Sequence, residues 1–325
     1  MASIRWASLV GAALVALHPS SHAQPRAGYP DKPVRVIVPV APGGSTDLLA
    51  RISAQKLAES LGQPFVVDNR PGAGSLIGTA LVAKAQPDGH TLLFAYAAFT
   101  IAPFLYDKVP FDVRRDFAPV TVVGAQPLVL TVHPSVDVKT VQELVALARA
   151  KPRVLNVALM TPSSSGALAA EYFKILTRTD MVSVPFTGGG PAIASLLGGQ
   201  VQLVFATPPD VLAHLKAGKL RAIGVSSRER LPLLPDVQTF TEAGIPDLNT
   251  APWYGLVAPA RTPAAVVDLL YRETVKAIQQ PDVRQKILGS GTEPVGNTPR
   301  EFAEQIRREL ETHEKIIRAV GMKAD

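Results

Sequence analysis

Four short segments carry the most suggestive polar chemistry of this 325-residue chain. They are Gly43-Gly44-Ser45-Thr46, Gly72-Ala73-Gly74-Ser75, the Thr161–Gly166 run and Thr187-Gly188-Gly189-Gly190. Each follows an apolar run and precedes a helical pattern. Glycines at such a junction let backbone approach a bound group closely, and the unpaired N–H groups of a first helical turn favour an anion. Many N–H and hydroxyl donors with few fixed charges suit a small carboxylate. Singly, each segment is also compatible with a capped turn. Four together favour a cleft at the carboxyl ends of a parallel sheet, where open α/β folds bind ligands.

Other chemistries find little support, and the reading assigns no catalytic residue, no metal ligand and no cofactor. The chain has no cysteine, which removes disulfides, thiolate nucleophiles and cysteine metal sites together. His90, His133, His214 and His313 are scattered, without the spacing of a zinc helix. There is no G-x-S-x-G elbow and no phosphate-binding P-loop. The stretch Gly72-Ala73-Gly74-Ser75-Leu76-Ile77-Gly78 approaches a dinucleotide fingerprint but is one residue too long. The next strand also lacks an acidic end for a ribose hydroxyl. Asp47 sits in a first helical turn, where a carboxylate is stabilised without catalytic purpose. A formal net charge of +6 suits an anionic ligand, and no basic run with interleaved aromatics points to nucleic acid.

Elements that would position these segments follow from periodicity. Arg5 and the short apolar run Ala7–Leu17, closed by Ser21-His22-Ala23, read as a secretory leader cleaved after Ala23. With no cysteine for a lipid anchor, the expected location is the periplasm. The apolar runs 34–40, 65–67 and 91–96 alternate with helical patterns, the first of them ended by Gly62. A second β/α series occupies 128–226, with a capping box at Thr140 and Glu143. After a proline-rich passage come a strand at 253–258 and helices at 263–279, 282–288 and 299–320, the last opened by Thr298 and Glu301. The alternation calls for mostly parallel, doubly wound sheets covered by helices on both faces. It predicts a leader over 1–23, one domain from 24–124 plus 250–325, and another from 125–249. The chain would cross between them near Gly124-Ala125 and again near Asn249–Pro252, forming a hinge.

Several ordered motifs make a resemblance specific. Tyr29-Pro30-Asp31-Lys32-Pro33 and Pro42–Asp47 are followed by Leu61-Gly62-Gln63-Pro64, Asp68–Gly74 and Pro87–Leu93. Leu197–Val201, Lys216–Ala222, Leu234–Val237, Glu242-Ala243-Gly244 and Glu293–Gly296 continue the order. Across nearly the whole chain after residue 23 this resembles the Bug-type receptors, the solute-binding proteins of tripartite tricarboxylate transporters. The resemblance implies a type II periplasmic binding fold whose two domains close over a small organic anion, and a separate two-subunit membrane permease that receives it. On matching positions it implies that Gly43, Gly44, Ser45, Thr46, Gly72, Ala73, Gly74 and Ser75 grip one carboxylate. Arg70 belongs to the motif but reads as a structural ion pair.

Departures from the family pattern lie on the other wall. A Gly-Ser-Ser-Gly run is replaced by Ala158-Leu159-Met160-Thr161, a histidine by Ala167, a Tyr-Lys-Gly element by Phe186-Thr187-Gly188, and an acidic residue by Ala206. Tyr96-Ala97-Ala98-Phe99-Thr100 stands where a Gly/Ser/Thr-rich run is usual. The remaining expected contacts are Tyr96, Phe99, Met160, Thr161, Ser163, Ser164, Thr187, Gly188, Ala206 and Thr207. These changes remove polar partners, so the expected ligand is an aromatic or otherwise apolar-bodied carboxylate against Tyr96, Phe99, Leu159 and Met160. The expected protein is a monomeric receptor. A receptor presenting its ligand to a sensor, and an exported enzyme on the same scaffold, stand as alternatives.

Overall fold

Central strands form where β-branched and aromatic residues run without a break, because both faces of the sheet are to be covered. In the computed structural model, which describes residues 28–248 and 251–323, the chain opens with β1 (Val34–Val38), α1 (Ser45–Leu61), β2 (Phe65–Asn69), α2 (Leu76–Ala83), β3 (Thr91–Tyr96) and the short α3 (Ala98–Ile101). The long β4 (Phe117–Ala125) leads across to β5 (Val129–Val132), α4 (Val141–Ala150), β6 (Asn156–Leu159), α5 (Ser165–Thr177) and β7 (Val182–Pro185). Then come α6 (Gly189–Leu197), β8 (Leu203–Ala206), α7 (Pro208–Lys216) and β9 (Arg221–Val225). The return brings β10 (Trp253–Pro259), α8 (Ala264–Ile278), α9 (Pro281–Gly289), β11 (Glu293–Pro294) and α10 (Pro299–Val320). The leader, and Asn249-Thr250 within the second crossover, lie outside the described residues.

There are two sheets, ordered β11-β4-β10-β3-β1-β2 and β7-β6-β8-β5-β9. Each is mixed, which corrects the expectation of mostly parallel sheets. Strands β1, β2 and β3 are parallel, as are β6, β7 and β8. The strands flanking the crossovers run against them: β10 is antiparallel to β3 and β4, and β5 to β8 and β9. A strand arriving from the other sheet enters from the carboxyl end and so runs backwards. Strand β4 had no signal in the periodicity, and Pro119 interrupts its pattern. The register slips between Leu256 and Val257, and Val257 is the residue that faces Pro119.

Alternation along β1 and β10 separates two cores. Val34, Val36, Val38, Tyr254 and Leu256 join α1 and α8 on one face, while Ile37, Trp253 and Val257 join Phe302, Ile306 and Leu310 of α10 on the other. The second sheet does the same, with Leu130, Leu159 and Phe205 toward α4 and α5 and Ala158, Val204 and Ala206 toward α6 and α7. A further apolar cluster bridges the sheets, joining Ala97, Ile101 and Leu105 to Leu168 of α5 and to Ile316 and Ile317 of α10. Among the described residues no helix is long and apolar enough to cross a membrane.

Candidate functional site

The first loop is shaped by Asp47. Its Oδ2 accepts the Gly43 N–H at 3.1 Å and Arg51 Nε at 3.0 Å, and its Oδ1 accepts Asn69 Nδ2 at 2.9 Å. The same Asn69 amide donates to the Val40 carbonyl at 3.1 Å, so the end of β2 braces the loop after β1. Burial pushes the Asp47 carboxyl up, but the Arg51, Asn69 and Gly43 donors outweigh it and hold the group below its ordinary value. Gly43 takes a positive φ of 101°, and Gly44 stands at the helix start with no side chain capping α1. Ser45 and Thr46 therefore occupy a first turn whose N–H groups have no side-chain partner, at the positive end of a 17-residue helix.

The second loop carries positive φ at Gly72, Ala73, Gly74 and Ser75 in succession. Positive φ at Ala73 and Ser75 costs energy that only surrounding contacts can hold, a pattern concentrated at binding sites. One such contact is Tyr106, whose hydroxyl and ring edge would stand 2.8 and 2.9 Å from a Cβ on Gly74. Ser75 is buried. Burial pushes the phenol of Tyr96 up to about 12, with the nearby Ser75 hydroxyl opposing the shift.

Tyr254 of β10 lies beside the end of β3, opposite Tyr96 in register. Its hydroxyl donates to Gln126 Oε1 at 2.6 Å, and Gln126 Nε2 donates to the Ser290 carbonyl at 3.0 Å. Gln126 is fully buried in the first crossover, and its N–H donates to the Pro252 carbonyl of the second at 2.7 Å. Burial raises the Tyr254 phenol well above the ordinary tyrosine value; the Ser45 hydroxyl opposes the shift and the Asp210 carboxylate adds to it. Ser45 and Asp210, which belong to opposite sheets, thus meet electrostatically at one phenol.

On the opposite wall Asp210 Oδ2 accepts both the N–H and the hydroxyl of Thr207, at 3.1 and 2.5 Å. Its Oδ1 lies 4.0 Å, and Met160 Sδ 3.6 Å, from where Gly189 would carry a Cβ. Helix α6 starts after Gly188 with no side-chain cap, so it offers a second free N-terminus. The walls touch where Gly291 meets Pro208 and Pro209, its Cβ position 3.2–3.4 Å from their rings.

Several expected contacts are placed elsewhere. Phe99 is buried edge-on against Phe117 and Trp253, in the core under α10. Leu159 points into the core beneath α4 and α5, and the Ala206 side chain into that beneath α6 and α7. Ser164 spends its hydroxyl locally, accepting from the Ala167 N–H at 3.1 Å and donating to the Thr161 carbonyl at 2.8 Å. Thr207 is likewise committed to Asp210, and the Gly43 N–H to Asp47. Gly44, Gly72–Gly74, Met160, Thr161, Ser163, Thr187 and Gly188 lie at the strand-to-helix junctions, Ser45 and Thr46 open α1, Ser75 precedes α2, Tyr96 ends β3, and Arg70 pairs with Asp68 at 2.9 Å.

Residues that sequence reading missed are Tyr254, Gln126, Tyr106 and Asp210. Only Asp210 left a signal, the T-x-x-D spacing of a capping box after a strand. A cavity of about 520 Å³ behind the crossovers, lined by Leu168, Tyr172, Trp253, Arg308 and His313 among others, contains none of the predicted contacts. Among the described residues no group of three or more His, Cys, Asp or Glu side chains is placed to hold a metal.

Two α/β bodies, each built on its own mixed sheet and joined by two crossovers, define the class of two-lobed solute-binding proteins. Residues 49–322 match the model of the tripartite tricarboxylate transporter family receptor, and the chain belongs to that family. It is 37% identical to protein BugT of Bordetella pertussis over 297 residues, covering 91% of each chain. Among solved structures it resembles R. palustris Rpa4515 with adipate, at 33% identity and a TM-score of 0.78, over 91% of this chain and 99% of that one. It also resembles MatC (Rpa3494) from Rhodopseudomonas palustris with bound malate, at 32% identity and a TM-score of 0.75, over 89% of this chain and 100% of the other. Solved relatives include periplasmic binding proteins, and the family is one of solute receptors and not of known enzymes.

Proposed function

We propose that this protein is a periplasmic, monomeric receptor that captures a small organic carboxylate between its two lobes and delivers it to a two-subunit membrane permease. The lobes of this reading are 24–124 plus 250–325 and 125–249, with the crossovers as hinge, and the leader is removed after Ala23. The observations that carry the reading are the starts of α1 at Gly44–Thr46 and of α6 at Gly188, neither capped by a side chain, in lobes that touch where Gly291 packs on Pro208 and Pro209. An anion seated on these N–H groups satisfies donors from both lobes, and it stabilises the closed form by its differential contact with it. The adipate and malate held by the two relatives fit the same ligand class.

The expectation of an apolar-bodied acid retains Tyr96 and Met160 and loses Phe99 and Leu159. Calorimetry over monocarboxylates, dicarboxylates, tricarboxylates and aromatic acids tests the reading. One class should bind with 1:1 stoichiometry, and Ser45→Ala with Thr46→Ala should weaken it. Silence across the whole panel, with no small molecule retained by the purified protein, would refute it.

A further inference from the structure

The cavity of about 520 Å³ behind the crossovers takes its walls from both lobes. Strand β10 and helix α10 line one side, helix α5 and the segment after β9 line the other, and Ala125 and Pro252 of the two crossovers complete it. Its volume is that of a site for a small organic molecule. Apolar surface comes from Leu168, the half-buried ring of Tyr172 and Val295, which is 45% exposed.

The polar groups around this cavity fall into two sets. Glu309 and Gln305 are satisfied within the fold. The Glu309 carboxylate accepts Trp253 Nε1 at 2.8 Å, the Thr100 hydroxyl at 3.0 Å and Gln305 Nε2 at 2.9 Å, so its charge is spent on three internal donors. Arg228, Arg308 and Thr312 form the other set, and among the described residues they make no hydrogen bond or ion pair. Asp247 also lines the cavity, where its carboxylate acts on the Tyr172 phenol and joins no ion pair with either arginine. Two uncommitted guanidiniums thus outnumber one carboxylate. They also come from opposite lobes, Arg228 from the chain after β9 and Arg308 from α10. A guanidinium presents a planar fork of donors that matches a carboxylate or sulfonate, and charge-assisted bonds of this kind are the strong ones.

We infer that this cavity is a second ligand site, separate from the cleft at α1 and α6, which takes an organic anion with an apolar body. The acid group lies between Arg228 and Arg308, and the body rests on Leu168, Tyr172 and Val295. An anion held in this way ties the two lobes together behind the crossovers. The inference does not depend on what the cleft holds.

The test uses two fluorescent probes, 8-anilinonaphthalene-1-sulfonate and N-phenyl-1-naphthylamine, which share an apolar body and differ by the sulfonate. The sulfonate probe should bind the folded protein at one equivalent per chain with blue-shifted emission, at least about tenfold more tightly than the neutral probe. Arg228→Gln and Arg308→Gln should each weaken the sulfonate probe by about fivefold and leave the neutral one unchanged. Thr312→Trp places a bulky side chain in the cavity and should abolish binding of the sulfonate probe. Ser45→Pro, which removes an N–H from the start of α1, should leave that binding as it is. Melting curves confirm that each variant is folded. Absence of sulfonate-probe binding, equal affinity for the two probes, binding that survives all three cavity substitutions, or binding lost in Ser45→Pro overturns the inference. None of these results bears on whether the cleft takes a carboxylate, which the calorimetric panel decides separately.

Discussion

Replacing Gly166 by alanine should damage the protein more than its modest chemistry suggests. Gly166 lies in the first turn of α5, and a Cβ there would stand 2.2 Å from the Phe205 carbonyl of β8. Ordinary contact begins near 3.4 Å, so helix and strand must separate by about 1.2 Å. The obstacle is backbone, which cannot rotate aside as a side chain would. Behind it Phe205 packs on Phe173 and Phe240, with ring centroids at 5.6 and 5.9 Å, so the shift loosens a dense aromatic cluster. Overpacking of this order costs about 2–3 kcal/mol. At roughly 2–4 °C per kcal/mol, the melting temperature should fall by about 4–12 °C. Circular dichroism melts check it, with Gly289→Ala as control. That glycine ends α9 with open space around it, and alanine there should be neutral or stabilise by up to about 1 kcal/mol. Because Gly166 follows Ser163 and Ser164, ligand affinity should drop in parallel. A Gly166→Ala protein as stable as wild type would refute the close approach of α5 to β8.

Three further outcomes follow from other contacts. Glu309 accepts Trp253 Nε1 at 2.8 Å, the Thr100 hydroxyl at 3.0 Å and Gln305 Nε2 at 2.9 Å, so Glu309→Ala should cost about 2–4 kcal/mol through orphaned donors. It should also shift Trp253 emission to the red, while Glu309→Gln should shift it less. Burial lowers the His313 pKa, against Glu309 and the Thr100 carbonyl, which favour the proton. The unfolded chain then binds a proton that the native state resists, so stability should decline as pH falls below about 6.5 and His313→Gln should flatten that slope in urea titrations. Asp47→Asn keeps one acceptor oxygen for three donors, so calorimetry should show affinity weakened by about tenfold, as the loop before α1 loses its brace.

What was legible in the sequence was local. Gly62 adopts the left-handed cap expected of it, and the capping boxes at Thr140/Glu143 and Thr298/Glu301 are present as the spacing predicted. Such signals lie within one helical turn and need no partner from elsewhere. What escaped depended on distant pairing. Strand β4 is held by β10, more than 100 residues away in sequence, and Gln126 gains its meaning only from Tyr254 and Ser290. The aromatic Phe99 misled because a residue just past a strand can face cleft or core, and the Phe117 and Trp253 rings that claim it lie far along the chain. Ser164 and Thr207 were chemically apt for a ligand, but each had a nearer backbone or carboxylate partner.

The claim that the α1 N-terminus is the seat of a carboxylate is tested most directly by what the protein carries. Protein purified from the periplasm, denatured and examined by mass spectrometry should release a small carboxylic acid near one equivalent per chain. The same acid, added back, should raise the melting temperature of the wild type and raise it less in Ser45→Pro, which removes one N–H of the seat at a first helical position that accepts proline. Release of a non-acidic solute, or an acid whose stabilising effect is unchanged in Ser45→Pro, would contradict the account.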